Sequence, residues 1–93
     1  MKTESIRWKE QIREAALCFL ADRASHVFPV EQITARIRKD VVIDSDFEES
    51  HVADALAVLE GYGLVKRVDR PLSGLVDFQA TSQGVTFRER NYP

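Results

Sequence analysis

The triplet Gly61-Tyr62-Gly63 cuts the chain where its hydrophobic pattern changes, and few folds accommodate what lies on its two sides. Upstream, Val52, Ala55, Leu56 and Leu59 recur at helical spacing and define one buried face. Ser45 and Glu48 have the spacing of a capping box at the start of that helix, each side chain satisfying a backbone donor. Gly61 and Gly63 supply the positive-φ conformations that end a helix. Downstream, residues 64–68 form a short run rich in branched side chains, 71–74 make a turn, and 75–80 pair back. Residues 45–80 therefore read as helix, stop and two-stranded hairpin.

The flanking segments supply the remaining elements. Thr3 or Ser5 caps a first helix that runs to about Arg23. At about 100° per residue, Trp8, Ile12, Ala15, Ala16, Phe19 and Leu20 share its core face. Ile6 and Leu17 fall on the opposite side, either as scattered surface apolars or as a face that pairs two copies into a homodimer. Residues 25–28 suit a short edge strand, and Pro29 the first turn of a second helix, where its missing donor costs nothing. Val30, Ile33 and Ile37 give that helix a buried stripe through about Lys39, with Gln32, Arg36 and Lys39 directed away from it. Val41, Val42 and Ile43 form a compact apolar connection, longer than the about three or four residues of a minimal helix-turn-helix. Thr81 caps a last short helix over 82–90, anchored by Val85 and Phe87, and residues 91–93 fray. The length of 93 residues suits one domain over 1–93.

Composition narrows the function classes. Apolar residues at 44% and charged residues at 30% suit a folded globular chain rather than a disordered one. Thirteen Lys and Arg against fifteen Asp and Glu leave a net charge of −2, so the whole-chain basic excess usual for nucleic-acid binding is absent. Cys18 is the only cysteine, which excludes an internal disulfide and points to a reducing, cytoplasmic setting. His26 and His51 stand alone, so neither a metal set nor a cofactor is implied. No apolar run reaches membrane-spanning length, and Met1 is followed by polar residues. An enzyme is not expected: there is no nucleophile–base pair at an interpretable spacing and no phosphate-cradling glycine loop.

The run ALAVLEGYGLVKRV, a short interval, and DFQATSQGVTFRER together resemble a block found in small bacterial winged helix regulators. Leu56, Leu59, Gly63, Leu64, Val65, Thr81 and Gly84 occupy the matching positions, and with the first two helices the resemblance covers nearly the whole chain. It implies an α+β winged helix-turn-helix domain with a three-helix core, a short edge strand, a two-stranded wing hairpin and a short C-terminal helix. It also implies transcriptional regulation through double-stranded DNA, in a bacterial or phage setting.

In that pattern the third helix enters the major groove. The residues expected opposite its core face are Phe47, Ser50, His51, Asp54 and Val58, of which Ser50 and His51 suit base or phosphate contact. From Asp40 to Val65 there are seven acids and no Lys or Arg, which opposes phosphate binding. Acids near a helix start complement its dipole, which accounts for Asp46, Glu48 and Glu49 but not for the missing bases. The cations lie elsewhere: Lys66, Arg67 and Arg70 on the wing, and Arg36 and Lys39 at the end of the second helix. These, with Ser50 and His51, are the candidate DNA contacts. The alternative is a protein–protein adapter that offers Phe47, Asp54 and Val58 to a partner groove.

Overall fold

The computed structural model describes residues 2–92, with side chains from Arg7 to Tyr92. Its order is α1 (Lys2–Asp22), β1 (Phe28–Pro29), α2 (Val30–Asp40), α3 (Glu49–Gly61), β2 (Val65–Asp69), β3 (Val76–Ala80) and α4 (Ser82–Asn91). The strands form one antiparallel sheet in the order β1-β3-β2, with Phe28 opposite Phe78 and Arg67 opposite Phe78 on its other side. This is the α+β winged helix expected from the helix, stop and hairpin.

Helix α1 is the hub. It packs against α2, α3, α4 and β3, and Ile12, Ala15, Ala16, Phe19 and Leu20 are buried as expected. Leu17 is not on a free face: it is 1% exposed, in a cleft closed by Leu59, Leu64, Phe87 and Tyr92. Leu17 is therefore neither a scattered surface apolar nor part of an open pairing face, because α4 returns across the side of α1 that a one-faced wheel leaves to solvent. The other member of that pair, Ile6, lies outside the described side chains. Thr3 and Ser5 fall within the helix rather than at its cap. At the other end, Arg23 donates to the Phe19 carbonyl at 3.2 Å, satisfying a group that the last turn leaves unpaired.

Three local expectations shift in detail. The edge strand is Phe28–Pro29 rather than 25–28, and Pro29 is the N-cap of α2, not its first helical residue. The connection after α2 is not compact, since Val42 is 88% exposed. Helix α3 begins at Glu49 with Glu48 as N-cap, and Ser45 lies outside it, donating only to the Asp46 carbonyl. His51 fills the reciprocal half of the capping box: its Nδ1 accepts the Glu48 N–H at 3.0 Å. Phe47 packs partly against the core, Glu48 after it is extended, and Arg38 holds the Phe47 carbonyl at 2.7 Å.

Gly63 has φ +76 and ends α3, whereas Gly61 is simply its last helical residue. Thr81 then joins two elements through one hydroxyl. It donates to the Gly63 carbonyl at 2.6 Å and accepts the Gly84 N–H at 3.0 Å, capping α4. Tyr92 packs against the core rather than fraying. Thr81→Ala removes both bonds and is expected to cost about 1–2 kcal/mol, read as a lower midpoint in urea unfolding with an unchanged slope. An unshifted midpoint would show that the cap carries no weight.

Candidate nucleic-acid interface

Helix α3 turns Val52, Ala55, Leu56 and Leu59 into the core. The residues on its outward side are Ser50, Ala53, Asp54 and Ala57, all exposed. The exposed ridge is therefore short-chained, and two of its members, Ala53 and Ala57, carry no chemical signal in the sequence. The expected outward face is redistributed. Phe47 precedes the helix and turns inward. His51 and Val58 lie on the flank toward α1, where with Asp54 they line a shallow depression shared with Lys9 and Arg13. His51 also meets Trp8 edge to face, ring centroids 5.0 Å apart. Phe47, Asp54 and Val58 thus do not form one face.

The opposite flank of α3 meets the wing. Arg67 reaches across from β2 and its Nε donates to Glu60 Oε1 at 2.8 Å, with the guanidinium 5.9 Å from the Phe78 ring centre. The hydrogen bond to Glu60, more than the carboxylate's charge, raises the Arg67 pKa further above its ordinary value. Arg70, at the base of the wing turn, makes a two-pronged contact with Asp77: Nη2 to Oδ1 at 2.7 Å and Nε to both oxygens at 3.1 Å. Asp77 is 7% exposed and is matched by this one guanidinium. Two of the three wing cations are consequently turned onto acids of the protein itself. Lys66, opposite Gln79 on β3, is exposed and has no acidic partner among the described residues.

Helix α2 starts beside the sheet, with Pro29 opposite Asp77. Its end at Lys39 lies about 14 Å further along the axis. Arg36 faces the groove between α1 and α2, 5.8 Å from the Phe19 ring centre. Its Nε is 3.5 Å from Asp40, too long and poorly aligned to count as a hydrogen bond, and has no other acceptor. Lys39 is exposed and, among the described residues, unpaired. Because Arg38 grips Phe47 just before α3, and Arg67 grips Glu60 near its end, the two groups of cations stand at opposite ends of α3. The same groove holds Cys18, where burial pushes the thiol pKa up.

Asp44, Asp46, Glu48 and Glu49 are all exposed around the start of α3. Asp44 is drawn toward α1 by Gln11 at 3.1 Å and by Arg7 at 3.5 Å. No helix among the described residues is long and apolar enough to cross a membrane.

No protein-family model matches the chain, and no curated protein matches it. Among solved structures, the fold is similar to the crystal structure of a PadR family transcription regulator from hypervirulent Clostridium difficile R20291. The likeness covers 87% of this chain and 85% of that one, with a TM-score of 0.65 at 15% identity, and it is a likeness of fold.

Proposed function

We propose that this winged helix protein binds double-stranded DNA and acts as a transcriptional regulator, with α3 as the element that enters the major groove. The observation that carries the reading is a winged helix with an unobstructed α3, similar over most of its length to a transcription regulator. The short ridge of Ser50, Ala53 and Ala57 suits close approach, since alanine methyls meet thymine methyls and a serine hydroxyl serves either base type. Lys39 at one end of α3 and Lys66 at the other are placed to bracket the groove and contact phosphates. Arg36, Arg67 and Arg70 contribute less, because each is held beside an acid of the protein. His51 presents only its Nε2, its Nδ1 being committed to the helix cap.

Binding of this kind is weakly salt-dependent. Two phosphate contacts give a log–log slope of about −2 on duplex DNA. Lys66→Ala is expected to flatten that slope by about 0.9, measured by fluorescence anisotropy on random-sequence duplex over a range of salt. Absence of wild-type binding at low salt would overturn the regulator reading.

A second reading follows from one specific observation. The acids at 46, 48 and 49 outnumber Arg38 around a concavity walled by Val41, Val42, Ile43 and Phe47, a surface for a basic, partly apolar protein segment. It predicts a protein partner and no duplex binding at low salt.

A further inference from the structure

The tip of the wing is apolar, and no contact within the protein accounts for that. Leu72 is fully exposed (102%), Leu75 is half exposed, and Pro71 lies beside them. The turn that carries them is built to be stiff. The Arg70 N–H donates to the Leu75 carbonyl at 2.9 Å, and the Gly74 N–H to the Arg70 carbonyl at 3.2 Å. The Leu75 N–H donates to Ser73 Oγ at 3.2 Å, and Gly74 takes φ +71, which an L side chain would resist. Pro71 fixes its own φ, and the Arg70–Asp77 fork clamps the base of the turn. A Leu on a mobile loop can fold back onto the protein. This one is held out into water.

We propose that Leu72 is an apolar wedge that enters the DNA minor groove and opens a base step, bending the duplex; this rests on the DNA-binding reading above. The charge arrangement leads to this assignment. A wing that read the groove electrostatically would present arginines at its tip, but Arg67 and Arg70 are drawn back onto Glu60 and Asp77. What remains at the tip is shape. A minor groove about 6 Å wide admits a single aliphatic side chain, and apolar wedges of Leu or Pro between base steps are a known mode of groove entry. A protein interface fits less well, because such interfaces take roughly 800 Å² from each partner and the apolar tip is confined to one turn. Lys66, further down the same hairpin, is placed to hold a flanking phosphate.

The test uses the full chain with two short duplexes carrying fluorophores at both ends, one with a central TA step and one with an A-tract. TA steps kink readily and A-tracts resist bending, so the wild type is expected to bind the TA duplex more tightly and to shorten its end-to-end distance. Leu72→Ala should lose the bend and weaken binding on the order of tenfold at every salt concentration, with an unchanged salt slope. Leu72→Met should retain the bend, and Lys66→Ala should keep the bend while flattening the slope. Since Leu72 touches nothing, circular dichroism should show unaltered melting for its variants. An unchanged bend in Leu72→Ala, or wild-type binding to unbent DNA, overturns the wedge and leaves the DNA reading standing. Failure of the wild type to bind either duplex at low salt overturns both. Sedimentation in which Leu72→Ala dissociates an oligomer would make the tip a self-contact and also overturn the proposal.

Discussion

Leu17→Glu is expected to abolish folding at 25 °C rather than to release a folded monomer. The residue is buried where α1 meets the end of α3 and the inner side of α4, among Leu59, Leu64, Phe87 and Tyr92. A carboxylate placed there forgoes hydration at a cost of several kcal/mol, and about 1.5–3 kcal/mol of leucine burial is lost with it. Arg13, on the rim of the same cleft, offsets only part of the first loss. A small protein holds about 5–15 kcal/mol in all, so the sum is comparable with its whole stability. Far-UV circular dichroism should show loss of helix and no cooperative melt. A variant that melts cooperatively at the wild-type temperature would refute the packing of α4 on α1.

Gly84→Ala should have the second-largest effect. A Cβ built at Gly84 would stand 2.0 Å from the Leu64 carbonyl oxygen and 3.0 Å from its carbon. That oxygen already accepts the Thr81 N–H at 3.0 Å. The first turn of α4 therefore rests directly on the backbone between α3 and β2, and no side-chain rotation can make room. Relief requires α4 to move, which also strains the Thr81 cap. We expect a loss of about 3 kcal/mol or more, hence a fall in Tm of at least about 12 °C, by calorimetry. Gly61→Ala is the matching control, because nothing lies within 4 Å of its added Cβ. If both variants melt together, the close approach at Gly84 is wrong.

Patterns that depend on neighbours along the chain were legible in the sequence, and those that depend on partners across space were not. Val52, Leu56 and Leu59, the stop at Gly63 and the Thr81 cap are local, and the helix, the hairpin and α4 follow from them. Leu17 escaped because a helical wheel assigns one buried face, while α1 has neighbours on several sides. The cap was not legible because Ser45 and Glu48 have the expected spacing, yet Glu48 itself is the N-cap and His51 replaces the usual Glu or Gln. At the candidate interface the cations were visible but their engagements were not. Arg67 finds Glu60 only because β2 lies along α3, and Arg70 finds Asp77 only through the hairpin register. Ala53 and Ala57 leave no signal in the sequence because alanine bears no functional group, although both are exposed on the outward side of α3.

The return of α4 onto α1 bears on how the chain is made as well as how it stands. Arg88 reaches Asp22 at 3.2 Å, and β1 near the start of the chain must wait for β3 near its end. Contacts so distant in sequence close late, since loop-closure entropy must be met before they contribute. During synthesis from the N-terminus, α1 emerges with Leu17 uncovered, and its cover is complete only once α4 has followed α3 out of the ribosome. The nascent protein therefore carries exposed apolar surface, the condition that invites aggregation or chaperone capture, until α4 has emerged.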